Sequence, residues 1–254
     1  PSEGTIFFKT EGRDHSAHLS STTRPFGVLH AVNPDGTRKW SFPRDEETVT
    51  TIRGTVIGEF LYKSTALGWS RTQPTVYGDT VYVAGNRGLY AVNKADGTLR
   101  WSHSRNGDDH YAISPIVFQG GDLVLVSLQN LRALYTHLAE AKNASHVAGT
   151  EKWVYEYAHL ADGLQPRSGI PSSDGNTLYV SGSEGSYTRK VLAINANAAA
   201  NAAPGDIRKW KYDTGQTGNS INSGPQVIED NTGNYVFTKQ KYTHLLLVIE
   251  QSLN

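Results

Sequence analysis

The chain has no cysteine and no methionine among its 254 residues. Without cysteine there is no disulfide framework and no thiolate metal site, so the fold must rest on a packed core and paired backbone. The missing methionine, with Pro at position 1, fits a processed mature chain, an excised domain or a fragment. No signal peptide is visible in it. An excess of one charge sign is missing too: 24 Lys plus Arg balance 24 Asp plus Glu. That leaves no electrostatic footprint for nucleic acid or an anionic membrane surface. No run of about 18 apolar residues occurs, so no membrane-spanning helix is expected. A long helical period is also absent. The best candidate, "LRALYTHLAEAKNA" from Leu131 to Ala144, allows one or two helical turns inside an insertion.

What the chain does have is glycine, 25 residues, and tyrosine, 13 residues. Short apolar runs punctuated by Gly, Asn and Asp read as many strands joined by tight turns. One unit recurs four times: "VLHAVNPDGTRKWSF", "LYAVNKADGTLRWSH", "LRALYTHLAEAKNASHVAGTEKWVYEY" and "VLAINANAAANAAPGDIRKWKYD". In each, an apolar strand with Ala leads into a Gly turn and then a strand with Trp. The repeats centre on Trp40, Trp101, Trp153 and Trp210. Between them a second pattern recurs in "QPTVYGDTVYVAG", "SPIVFQGGDLVLVSL", "IPSSDGNTLYVSG" and "GPQVIEDNTGNYVFT": Pro, a short strand, a turn, a second strand. Together the two patterns give four strands per repeat. A four-stranded sheet cannot bury both faces alone, and stacking such sheets radially makes a β-propeller. The fixed Trp is expected to pack against the neighbouring blade.

"AVNPDGTRKW", "AVNKADGTLRW" and "GDIRKW" resemble the tryptophan-docking motif of pyrroloquinoline-quinone-type propeller repeats. Asn33, Asn93 and Asn195 stand where that family usually carries Asp. The resemblance runs from about residue 25 to about residue 250 and implies an all-β propeller of four-stranded antiparallel blades. It fits the fold closely and the function loosely, because many proteins use these repeats.

The Trp residues lie 61, 52 and 57 residues apart, against about 40 for repeats of this kind. The excess sits in residues 45–70, where "TTIRGTVIGEFLYKS" reads as an extra hairpin, in "THLAEAKNASHVA", and in the Ala/Asn-rich "NANAAANAAPGD", read as a flexible surface loop. "GTIFFKT" reads as the second strand of a blade lacking its first. "THLLLVIEQSLN" reads as a third strand lacking its Trp strand. Residues 1–254 are therefore expected to form one propeller domain or part of a larger one, with about five blades of which the two terminal ones are partial. An open arc would favour self-association.

In such a fold the chain crosses one face between each Trp strand and the next recurrent Pro, around a central funnel. The crossings "SRTQP", "SRNGDDHYAISP", "AHLADGLQPRSGIP" and "DTGQTGNSINSGP" offer Arg71; Asp108, Asp109, His110 and Tyr111; Arg167 and Ser168; Asn219 and Asn222. Arg, Asp, His and Asn together make a plausible ligand site. Trp69 lies off the repeat register and is the one Trp positioned to stack on a ligand. The bland alternatives stay open: "DDH" also suits a solvated turn. His15 and His18, in "DHSAH", have a metal-like spacing but sit in a Ser/Thr-rich loop with no third ligand nearby, so no metal site is expected. The sequence holds no nucleophile elbow and no phosphate loop. Asn143-Ala144-Ser145 matches the N-glycosylation acceptor pattern.

The leading expectation is a non-enzymatic, extracytoplasmic binding or assembly scaffold without a cofactor. Its crossing loops would hold a protein partner or a small ligand. Its repeats resemble those of the propellers of outer-membrane protein assembly. The alternative is a quinone-dependent alcohol or sugar dehydrogenase. For that class the resemblance implies pyrroloquinoline quinone and Ca²⁺, with Asp108 or Asp109 as base and Asn219 or Asn222 as a Ca²⁺ ligand. No Glu completes that set in the crossings. A carbohydrate-binding propeller is the third reading.

Overall fold

The computed structural model describes residues 4–10, 28–43, 67, 72–85, 88–104, 113–128, 130–156, 164–184, 188–217, 226–230, 233–239 and 246–251. The extra hairpin expected within residues 45–70 lies outside them. Five antiparallel sheets account for the strands. The first holds β1 (Ile6–Lys9), β2 (Leu29–Val32) and β3 (Arg38–Phe42). The second holds β4 (Thr75–Tyr77), β5 (Thr80–Gly85), β6 (Gly88–Asn93) and β7 (Leu99–Ser104). The third holds β8 (Ile116–Phe118), β9 (Leu123–Leu128), β10 (Asn130–Tyr135) and β11 (Glu151–Tyr155). The fourth holds β12 (Leu164–Pro171), β13 (Thr177–Glu184), β14 (Thr188–Asn195) and β15 (Arg208–Thr217). The fifth holds β16 (Gln226–Asp230), β17 (Gly233–Lys239) and β18 (Leu246–Gln251). Strands follow chain order within every sheet. As the repeats imply, three sheets have four strands, and the terminal ones have three among the described residues.

One cross-strand row recurs. In the second sheet Thr75 pairs with Tyr82, Tyr82 with Ala91, and Ala91 with Trp101. The third gives Ile116, Leu125, Ala133 and Trp153. The fourth gives Ile170, Tyr179, Ala193 and Trp210. The first gives Phe7, Ala31 and Trp40. Strands two apart lie about 9.5 Å from each other, yet the Phe7–Trp40, Tyr82–Trp101 and Tyr179–Trp210 ring centroids are only 5.6, 5.9 and 6.0 Å apart. The rings lean together over the fully buried Ala, whose single methyl leaves them room. Immediately after that Ala each of these four sheets has a register shift, between Ala31 and Val32, Ala91 and Val92, Ala133 and Leu134, and Ala193 and Ile194. Such a bulge increases local twist and re-aims the Trp strand.

The chain divides into two compact units, Pro1–Pro115 and Ile116–Asn254. In the first, Leu29, Ala31, Trp40 and Phe42 of the first sheet form one core with Val81, Val83, Tyr90 and Val92 of the second, and Leu67 joins them. Trp40 reaches past this core to the β6–β7 turn. Its Nε1–H donates to the Lys94 carbonyl at 3.1 Å, and its ring lies where a Cβ on Gly97 would fall, 2.8 Å away. In the second unit, Ile170, Tyr179, Val191, Ala193 and Trp210 of the fourth sheet cluster with Val227 and Val236 of the fifth.

Two insertions lengthen the turns before Trp153 and Trp210. In the third sheet the helix is confined to α1 (His137–Lys142), because Asn130–Tyr135 is strand. The buried Thr136 Oγ1 donates to the Gly121 carbonyl at 2.5 Å and accepts the Leu138 N–H at 3.1 Å, which starts the helix. The Ala/Asn-rich segment of the fourth sheet departs from the flexible loop expected of it. Ala196, Ala198 and Ile207 are buried, and Pro204–Ile207 forms a single turn, α2. The Asn201 N–H donates to the Lys152 carbonyl of the third sheet at 2.8 Å. Alanine made the segment look featureless, but small side chains are what a tight inter-sheet seam accommodates.

Candidate functional site

The segments entering the second and third sheets run side by side. Pro74 and Pro115 lack an N–H and fix their own φ, so each strand begins just after its Pro. The Gln73 N–H donates to Ser114 Oγ at 2.9 Å, and Thr75 Oγ1 donates to the Pro115 carbonyl at 2.6 Å. Thr72, which is buried, donates through Oγ1 to the Ala84 carbonyl at 2.8 Å, and Lys9 Nζ reaches the same carbonyl at 3.4 Å. The ends of two crossings are thereby fastened together at the mouth of the second sheet. Arg71 is the next residue before Thr72, and Tyr111 stands two before Ile113 in the chain.

Trp69, Arg71, Asp108, Asp109, His110, Tyr111, Asn219 and Asn222 lie outside the described residues, as do His15 and His18. Arg167 and Ser168 are placed, and not in a crossing loop as the sequence reading had them. They belong to β12, which runs from Leu164 to Pro171 and so ends, rather than begins, at the recurrent Pro. β12 is the edge of its sheet, so Pro166 and Pro171 are tolerated where no ladder donor is needed. Pro166 pairs with Gly182 and Ser168 with Ser181, which leaves Arg167 as the extra residue of a bulge. Among the described residues no three His, Asp or Glu side chains are grouped as a metal site requires.

The family model described as outer membrane protein assembly factor BamB matches residues 22–244. The chain belongs to that family. No curated protein matches it. Among solved structures it is similar to a quinohemoprotein alcohol dehydrogenase from Pseudomonas putida HK5, at 14% identity and a TM-score of 0.55, over 89% of this chain and 38% of that one. It is also similar to the Cps50 (Swd1) β-propeller domain of Myceliophteria thermophila, at 10% identity and a TM-score of 0.53, over 86% of this chain and 60% of that one. BamB from Moraxella catarrhalis matches at 12% identity and a TM-score of 0.46, over 89% of this chain and 59% of that one. At these identities the likeness shows the fold alone, an all-β propeller of four-stranded blades. The chain spans less than two thirds of each of these chains.

One regularity of this BamB-family chain is invisible until register is known. The residue skipped at each bulge is a cation standing immediately before Trp: Lys39, Arg100, Lys152 and Lys209. In the second sheet Arg100 pairs with Asp79 of the β4–β5 turn at 2.6 Å. In the fourth, Lys209 Nζ donates to Thr177 Oγ1 at 2.6 Å and its charge acts on Asp174 of the β12–β13 turn. The outermost strand thus clasps the first turn of its own sheet. In the third sheet Lys142 of α1 takes the corresponding Asp122, at 2.6 and 2.8 Å. Lys152 is left half-buried, and burial pulls its pKa below the ordinary lysine value. The sequence signal was there, in "RKW", "LRW", "EKW" and "RKW". Without register it reads only as surface charge.

Proposed function

We propose that this chain is a non-enzymatic, extracytoplasmic propeller that holds a protein partner on its crossing loops. The observation that carries the reading is the fastening of Gln73 to Ser114 and Thr75 to Pro115, which joins the ends of two crossings. A binding site on loops needs a rigid base, and the buried Thr72 hydroxyl, the half-buried Thr75 hydroxyl and proline-fixed strand starts support one. On this reading Arg71, Asp108, Asp109, His110 and Tyr111 are the partner-contacting groups. Trp40 on Lys94 and Gly97 is the docking contact that sets one blade against the next. Family membership supports an assembly role, since the family is described by one.

The test places a photo-crosslinking side chain at Arg71, at Tyr111 and, as control, at the exposed Lys39 of β3. The chain is exported to the periplasm of a Gram-negative host. The expected result is the same outer-membrane assembly protein, identified by mass, captured from positions 71 and 111 and not from 39. No protein adduct at either crossing position, or equal capture at all three, would overturn the reading.

A further inference from the structure

We propose that β1 takes up an extended strand of a partner polypeptide on the edge that it turns away from β2. Among the described residues β2 is the one strand paired with β1. The Thr10 N–H donates to the Val28 carbonyl at 2.8 Å. Backbone groups alternate along an antiparallel pair, so Phe8 and Ile6 turn theirs to β2, and Phe7 turns its N–H and carbonyl to the open side. Tyr82, Leu125 and Tyr179 hold the place of Phe7 in the next three sheets. Each is paired there with a residue of a first strand: Thr75, Ile116 and Ile170. All three are β-branched, and β4 and β8 are only three residues long.

The side chains mark the same place. Val76, Val81, Val92 and Leu99 form one cross-strand row of the second sheet. Val81 and Val92 lie fully buried in the core shared with the first sheet, so the row faces that sheet, yet Val76 at its end is 43% exposed. Phe7 packs against the same core. A strand added beside Phe7 would lay its central side chain on this face, over Val76. The second unit shows such an arrangement filled: Ile170, opposite Tyr179, packs in one cluster with Val227 of the next sheet's first strand. On the other face of β1, Ile6 and Phe8 are 57% and 41% exposed. The fitting partner is therefore an extended, uncharged stretch with Thr, Val or Ile at its centre, and three residues suffice, as in β4 and β8. Backbone pairing supplies the affinity, and the space between Phe7 and Val76 supplies the selectivity. This surface is separate from the crossings, so the crosslinks at positions 71 and 111 succeed or fail independently of it.

The probe is a labelled synthetic peptide copying Ile113–Gln119, which contains β8. Its binding to the whole chain is read by fluorescence anisotropy, and exchange of the Phe7 amide by NMR. In the chain alone that amide is expected to exchange rapidly, and the peptide should bind and slow it. N-methylation at the peptide's Ile116 position, whose N–H would face β1, should weaken binding about tenfold or more. The same modification at its Val117 position, facing away, should not. Val76→Asp should also weaken binding, whereas Leu99→Asp, equally exposed at the far end of the row, should not. No binding by the parent peptide, or equal binding by the two methylated peptides, would overturn the proposal. So would a Phe7 amide protected in the chain alone, since the edge is then filled by the chain itself or by a second copy. The two methylated peptides are compared on the unaltered chain, so a folding defect in Val76→Asp cannot imitate the expected pattern.

Discussion

Asp174 stands in the turn between β12 and β13, and its environment pulls its pKa two ways. Burial raises it. The Ser172 hydroxyl at 2.5 Å, the Asn176 N–H at 2.8 Å, the Asn176 side-chain amide at 2.7 Å and the Lys209 charge lower it, and the lowering wins. A carboxyl depressed in the folded state stabilises the fold above its unfolded pKa of about 3.9. It loses that contribution as pH falls through the lower folded value. Urea midpoints taken from about pH 5 downward, through and below the unfolded value, follow this loss. Asp174→Asn is expected to shrink the acid loss relative to wild type, and an equal loss in both would refute the assignment. Residues such as the four repeat Trp were legible in the sequence because a large ring at a fixed offset from Gly has few surface uses. The clasp made by Arg100 and Lys209 was not legible, because a cation's partner depends on register, which composition and spacing do not give.

At the scale of the element, the turns decide how neighbouring sheets meet. Gly36 and Gly97 occupy the same place in successive turns and share a left-handed backbone, at φ +85° and +78°. A Cβ on Gly36 would meet nothing within 4 Å, whereas one on Gly97 would fall 2.8 Å from the Trp40 ring. Alanine at either position costs about 1–2 kcal/mol for the left-handed backbone. Gly97→Ala should lose about 1–3 kcal/mol more from overpacking against the indole. Chemical denaturation of the two variants measures the difference, and equal losses would contradict the Trp40–Gly97 contact. Strand count and order followed from the alternation of apolar runs and turn residues. The start of β12 did not, because Pro171 looked like its two predecessors. A proline at an edge can equally close a strand, and only pairing distinguishes the cases. The Ala/Asn-rich segment failed for a related reason: low complexity describes its composition, while the seam it fills belongs to another sheet.

At the scale of the whole molecule, the repeat explains the architecture and leaves chemistry to the crossings. Among the described residues the terminal sheets have three strands each, and "GTIFFKT" and "THLLLVIEQSLN" suggested as much because both are strands out of phase with the Trp unit. The functional groups were only partly readable. Arg167 and Ser168 moved from a loop into β12, while the fastening at Ser114 and Pro115 gave two other crossings a shared base. The central claim is that this family member binds a partner rather than a quinone. The most direct check is thermal melting of the whole chain with and without pyrroloquinoline quinone plus Ca²⁺. The account predicts one cooperative transition whose midpoint does not move when the pair is added. A midpoint that rises only when quinone and Ca²⁺ are present together would contradict it, because a ligand stabilises a fold only by binding it.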